Sequence, residues 1–257
     1  MAPVSGGPLP ETCCPPATVW LWAGHAVYRG PSLRLDAHCG SVHCLAIGVD
    51  APFTLSAEGL GEVRVRSALI PPRTIHRVVA HGDQMLFCYI DSGSPRAHHC
   101  WERMTDRSHG FGLGHRAEAA VIDLAGRADL DPTTVLDLVC GPLTRHSDPR
   151  ISVATATLQA HPGRSVTAAD LAAAAHLSTS RFLHLFSEHA GTSFRRYRLW
   201  ARMLSVGRAI AKGVDLTTAS ADAGFASPSH FSDAFHAMTG LTATTLLGSG
   251  ATVVVLD

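Results

Sequence analysis

Long apolar runs are absent from this 257-residue sequence, and with them any segment built to span a bilayer. Charged residues are sparse at 16%, and the two signs cancel to a formal net charge of zero. The first sixteen residues have neither the basic start nor the apolar core of a secretory signal. Their glycines and prolines, with Cys13-Cys14-Pro15-Pro16, predict a loose tail. The chain is therefore expected in the cytoplasm, away from membranes. Cysteines number seven, and an odd count in a reducing compartment argues against a disulfide framework. No Ser-His-Asp arrangement, phosphate-binding loop or dinucleotide fingerprint stands out, so no enzymatic activity is expected.

What is present is 46% hydrophobic residues, enough for a large core in a globular chain of two domains. The zero net charge hides an asymmetry. Residues 1–144 carry eleven arginines against fourteen carboxylates, whereas residues 145–257 carry nine arginines and Lys212 against seven. The patterns of the two halves differ as well. Short runs rich in Val, Ile, Leu and aromatics, separated by Gly, Pro or Asp, predict strands over 18–22, 43–49, 52–57, 62–70, 76–80 and 84–90. Residues 95–114 read as a loop or linker, followed by helices over 116–127 and 132–140. Beyond Gly141-Pro142 the chain reads as helical, over 149–161, 168–176, 179–189, 193–212, 216–223, 228–239 and 242–247. The expected fold class is α+β, an N-terminal β-barrel followed by an all-α domain. The expected division is a tail over 1–16, a β domain over 17–95, a linker and helical dimerisation or interdomain region over 96–144, and an α domain over 145–257.

The α half contains one pattern twice, 49 residues apart. Ser178-x-Ser180-Arg181-Phe182-x-x-x-Phe186 with Gly191 recurs as Ser227-x-Ser229-His230-Phe231-x-x-x-Phe235 with Gly240. Each copy has a helix-capping serine, two phenylalanines on one buried helix face and a terminating glycine, and each follows a short Ala-rich helix. Each therefore reads as a helix-turn-helix, and the tandem points to a chain that reads two successive major grooves of DNA. In the first unit Phe182, Leu185 and Phe186 face the core. Ser180, Leu183, His184 and Ser187 form the opposite face, where Leu183 suits a thymine methyl. Thr179 and Arg181 adjoin that face. In the second unit Pro228 opens the helix, and Ser229, His230, Ser232 and Asp233 make the reading face. The helix over 193–212 would span about 30 Å, close to one turn of B-DNA at about 34 Å. Arg195 and Arg196, with Arg198 and Arg202, cluster near its start and are candidates for phosphate contact.

These residues carry a resemblance. Ala223-Gly-Phe-Ala-Ser-Pro-Ser-His-Phe-Ser-Asp-Ala-Phe235 with Gly240, and the earlier Asp170-Leu-Ala172, Leu177-Ser178 and Phe182-x-x-x-Phe186, resemble the DNA-binding domain of the AraC/XylS family of transcription regulators over residues 150–247. The family usually has a basic residue where Asp233 stands, and its terminal Pro and Tyr-Arg are replaced here by Ala243 and Leu246-Leu247. A carboxylate at Asp233 would repel phosphate but can accept from a cytosine amino group. The N-terminal half is similar, less specifically, to the cupin-like sensing domain of that family. Pro72-x-x-x-His76 fits the second cupin motif and His38 falls where the first would begin, without the usual His-x-His and Glu. The resemblance implies as partners promoter DNA, a small-molecule effector, RNA polymerase and a second copy of the chain through the helices over 116–127 and 132–140.

Candidate effector residues are Trp20 and Trp22, which share a strand face, with His38, His43 and His76. A divalent metal is a candidate cofactor, held by His38, His43, Cys44 and His76 if they converge. Adjacent residues of a strand point to opposite faces, however, so His43 and Cys44 could not both join one site. The leading expectation is an effector-responsive DNA-binding regulator. The alternatives are a metal- or redox-responsive regulator and a cupin-type enzyme with a DNA-binding appendage.

Overall fold

The structure, a computed structural model, describes residues 17–33, 35–142 and 148–256. The tail expected over 1–16 and the boundary expected near 144 lie outside the described residues. Strands β1 (Thr18–Trp22), β2 (His25–Gly30), β3 (His43–Gly48), β4 (Phe53–Ala57), β5 (Gly61–Val65), β6 (Ser67–Ile70), β7 (His76–Ala80) and β8 (Met85–Ile90) come first. Helix α1 (Pro95–Glu102), the hairpin β9 (Met104–Ser108) and β10 (Phe111–His115), and helices α2 (Glu118–Ala125) and α3 (Pro132–Cys140) follow. The rest is α4 (Pro149–Ala160), α5 (Ala168–Ala174), α6 (Thr179–Ala190), α7 (Phe194–Ala211), α8 (Leu216–Asp222), α9 (Pro228–Thr239), α10 (Ala243–Gly248) and a last strand, β11 (Thr252–Val255).

The strands form two sheets, ordered β11-β1-β2-β8-β3-β6-β10-β9 and β5-β4-β7. The β domain and following helical domain are as expected; the larger sheet is open rather than closed into a barrel. Alternation along its strands gives it two buried faces. Leu45, Ile47, Leu69, Leu86, Cys88 and Ile90 pack under α1, α2 and α3. Cys44, Ala46, Ala68, Ile70, Met85 and Tyr89 point the other way, into a core shared with Phe53 and Leu55 of the small sheet. That core runs on without a break through Trp200, Met203, Val206, Phe231 and Met238 of the helical half.

Three departures from the expected elements have local causes. The run over 62–70 is two strands in different sheets. At Arg66 the guanidinium donates to the Gly48 and Val49 carbonyls at 2.7 and 2.6 Å, and the chain crosses between the layers there. The expected loop over 95–114 is instead a helix and a hairpin. Ser94 caps Pro95–Glu102, with Pro95 at the first helical position. His109 and Gly110, both at positive φ (49° and 83°), close the hairpin with the backbone of a primed turn. Finally, β2 and β11 were not expected. β11 brings the end of the described chain back to the N-terminal sheet, pairing parallel with β1 from Thr18↔Thr252 to Leu21↔Val255.

Helix α7 lies against this β1–β11 edge, and the contact is close at Gly207. A Cβ on Gly207 would stand 3.1 Å from Leu21 Cδ1 and 3.2 Å from Val255 Cγ2. Gly207→Leu should overpack the layer and lower unfolding stability by roughly 1–3 kcal/mol. An unchanged urea midpoint would contradict this packing.

Candidate nucleic-acid interface and ligand chamber

The two repeated units fold alike because their local signals are alike. The Ser178 hydroxyl accepts from the Arg181 N–H at 3.3 Å and that of Ser227 from the His230 N–H at 3.1 Å. Helices α6 and α9 both end on a left-handed glycine, Gly191 (φ 68°) and Gly240 (φ 77°). The turn before each recognition helix also contains one left-handed residue, His176 in the first unit and Gly224 in the second. The capping box of Thr167 and Asp170 is present at the start of α5. Phe182 and Phe186 are fully buried against Phe194 and Tyr197, with edge-on rings 5.4–6.1 Å apart. Phe231 packs edge-on to Phe225 at 5.3 Å.

With those faces buried, the opposite faces are presented to solvent. Thr179, Ser180, Arg181, Leu183 and His184 are exposed on α6, Leu183 as one of few exposed large apolar side chains. On α9, Ser229, His230 and Asp233 are exposed, while Pro228 and Ser232 are half-buried. Arg195 is exposed at the start of α7. That helix has 18 residues, a length of about 27 Å at 1.5 Å per residue.

Arg196 has a different role from its neighbour. Its Nε donates at 2.7 Å to Asp91, a fully buried carboxylate at the end of β8, and a second nitrogen reaches the Ser41 carbonyl at 3.3 Å. Asp91 also accepts from the Thr192 hydroxyl at 2.7 Å, the Trp200 indole N–H at 2.9 Å and the Gly93 N–H at 3.0 Å. Burial alone would raise the Asp91 pKa. The hydrogen bonds from Thr192, Trp200, Gly93 and Arg196 outweigh it and hold the group below 3.8. One carboxylate of the β domain thus clasps the first turns of α7, and this residue was not singled out from the sequence. Its only sequence signal is an acid directly after an apolar strand.

Between the sheets lies a chamber. Cys44, Ile70, Phe87 and Tyr89 of the large sheet and Val78 of β7 line it, together with Thr239 and Leu241 of the helical half. His38 and His76 stand in its wall, their rings 4.6 Å apart and their backbones paired across a β-bridge. Each Nδ1 faces a carbonyl oxygen, Asp36 at 2.8 Å and Thr74 at 2.9 Å. That contact makes each Nδ1 a donor. Burial pushes the His76 pKa down to about 4, so the ring is neutral at pH 7.

The other expected chamber residues lie elsewhere. Trp20 and Trp22 do share a face, but it is the outer one, against the cluster under α1–α3, with Arg29 stacked 5.7 Å over Trp20 and His25 stacked on Trp22. His43 also points away from Cys44, as alternation requires. It feels the Asp91 charge, although burial lowers its pKa overall, and its Nδ1 is buried without a partner among the described residues. Cys44 is buried in the chamber wall, with its thiol pKa raised to about 12. His38, Cys44 and His76 thus share the chamber lining while His43 lies outside it, so the four are not brought together as a set. Among the described residues no three His, Cys, Asp or Glu side chains form a metal-binding group.

Asp91→Ala should cost about 2–4 kcal/mol, because the Trp200 N–H, the Thr192 hydroxyl and the half-screened Arg196 lose their common acceptor. Since the folded-state pKa is depressed, that stabilisation is complete above the ordinary carboxylate value and fades only as pH falls below 3.8. Equal urea midpoints for wild type and variant at pH 7 would refute the clasp.

Comparison with known proteins follows the same lines. A family model described as a helix-turn-helix domain matches residues 171–248. No curated protein matches the chain. Among solved structures, an apo variant of ToxT from Vibrio cholerae is similar at 11% identity and a TM-score of 0.50, over 89% of this chain and 98% of that one. A second ToxT structure is similar at 11% identity and a TM-score of 0.46, over 88% and 98%. At that identity the likeness speaks for the fold alone. Residues 171–248 thus match a helix-turn-helix domain, and in this chain that stretch follows an N-terminal β domain.

Proposed function

We propose that the chain is a sequence-specific transcription regulator whose DNA-binding units respond to a small molecule held in the chamber of the β domain. The observation that carries this reading is the shared wall: Thr239 and Leu241, at the end of the second recognition helix, face the same space as His76 and Tyr89. A ligand there touches both halves, so it can bind one arrangement of α9 more tightly than another. Its chemistry follows from the lining. The walls are mostly apolar, and neutral His76 offers an acceptor nitrogen, which suits a small, largely apolar molecule with a hydrogen-bond donor. A metal-responsive reading has less support, because His43 and Cys44 lie on opposite faces of β3. We assign the chain no catalytic step.

On DNA, the exposed face of α6 reads bases through Ser180, Leu183 and His184, with Thr179 and Arg181 at its edge. Ser229, His230, Ser232 and Asp233 do the same from α9, where Pro228 sets the helix start, and Arg195 neutralises phosphate. Arg196 is engaged by Asp91 and contributes to DNA contact only if the clasp opens. Action at a promoter implies contact with RNA polymerase. The outer helices α2 and α3 offer a face for a second copy of the chain.

Selection of bound fragments from a genomic library, followed by titration at two salt concentrations, tests the reading. One enriched motif with two blocks about a helical turn apart is the expected result. His184→Ala should lower affinity for the selected site more than for random duplex, and equal loss on both would remove it from base reading. Val78→Trp, which fills the chamber, should leave DNA binding intact and abolish its modulation by small molecules. Modulation that survives the tryptophan would place the effector elsewhere.

A further inference from the structure

Where the turn between β6 and β7 approaches the start of α7, a cleft is lined by five arginines from the two halves of the chain. Arg195, Arg196, Arg198 and Arg202 come from α7, Arg73 from the turn, and His230 from the first turn of α9 completes the rim. No carboxylate lines it. Asp91 neutralises Arg196. Arg198 lies 5.9 Å over the Phe194 ring and Arg202 donates to the Pro162 carbonyl at 3.3 Å. Neither of these, nor Arg73 or Arg195, meets a carboxylate at ion-pair distance among the described residues. Like charges therefore crowd one concave surface, which concentrates a positive field there. Burial, and next the Arg198 charge, push the Arg202 pKa down, which is the response of a cation short of a counterion.

Arg73 is the unexpected member. It is exposed and held in the left-handed region at φ 61°, its N–H donating to the Gly40 carbonyl at 2.6 Å. An L-residue is strained in that conformation, and glycine would relieve it. Arginine offers what glycine cannot, a guanidinium at the mouth of the cleft.

We propose that this cleft takes phosphate groups of the DNA backbone, with Arg73 contributing a contact from the β domain beside those from α7. The proposal rests on the DNA-binding reading above and extends it: the domain that holds the chamber also grips the DNA directly. Its recognising chemistry is a row of anionic phosphate groups, and a free polyphosphate is the other source of such groups. Any ligand that shifts the β domain against α7 then changes affinity by moving Arg73 toward or away from the phosphates, without touching a recognition helix.

The test is a salt titration of the full chain on its selected site and on a random duplex. Arg73→Gly is the informative variant, because the left-handed backbone favours glycine and a loss of binding cannot be put down to a lost fold. The slope of log K against log salt should fall in magnitude by about 0.9 on both duplexes, the value for one phosphate contact. Arg77→Gln, an exposed arginine of β7 outside the cleft, should leave the slope unchanged. An unaltered slope for Arg73→Gly overturns the proposal, as does an equal drop for Arg77→Gln, which would reveal only a general charge effect. Sodium tripolyphosphate that raises the melting temperature of wild type but not of Arg73→Gly, with the DNA slope unaltered, would make this a free-anion site and also overturn it. Wild type that binds neither duplex at low salt would fell the DNA-binding reading itself, and this proposal with it.

Discussion

A carboxylate taken fully out of water must be matched by donors, and Asp91 is matched almost entirely by the other half of the chain. Thr192, Arg196 and Trp200 all belong to the first turns of α7 or the residues just before it. Because a buried acid tolerates little displacement from its partners, this one residue sets where α7 begins relative to the end of β8. The rest follows from that placement. α7 connects the two helix-turn-helix units and packs on the β1–β11 edge, so fixing its start fixes the pose of both recognition helices against the sheets. The outlines of the chamber and of the arginine cleft depend on that pose, because the helical half lines both together with the β domain.

Much of the helical half was legible because its signals are short-range. A capping serine, a phenylalanine pair at i, i+4 and a left-handed glycine each act within one turn, and the observed bounds of α3 and α9 are those expected. The exposure of Ser180, Leu183, His184, Ser229 and Asp233 follows from the same periodicity, since the phenylalanines can face the core in only one way. The β half was less legible for the opposite reason. That 62–70 would divide at Arg66, or that β11 would return to β1, depends on partners far along the chain. The helix and hairpin within 95–114 did have local signals, Ser94-Pro95 and His109-Gly110, which the surrounding histidines obscured.

The candidate site shows the same division. Alternation correctly separated His43 from Cys44, yet it could not tell which face of β1 looks into the chamber, and Trp20 and Trp22 lie on the outer one. A strand pattern gives relative orientation of neighbours, while absolute orientation depends on which layer covers which face. Nor could any local pattern reveal that Arg195 and Arg196, adjacent in sequence, diverge, one toward solvent and one toward a buried acid across the domain interface.

The return of β11 to the sheet has a consequence for how the molecule is made. β1 receives its outer partner only after nearly all of the described chain has been synthesised, since Thr18 pairs with Thr252. Until then the nascent β domain has an open edge next to β1, the kind of surface that recruits strands from other chains. The last strand therefore takes over the edge position from β1, and a chain interrupted before it would release its β domain with β1 itself as the exposed edge.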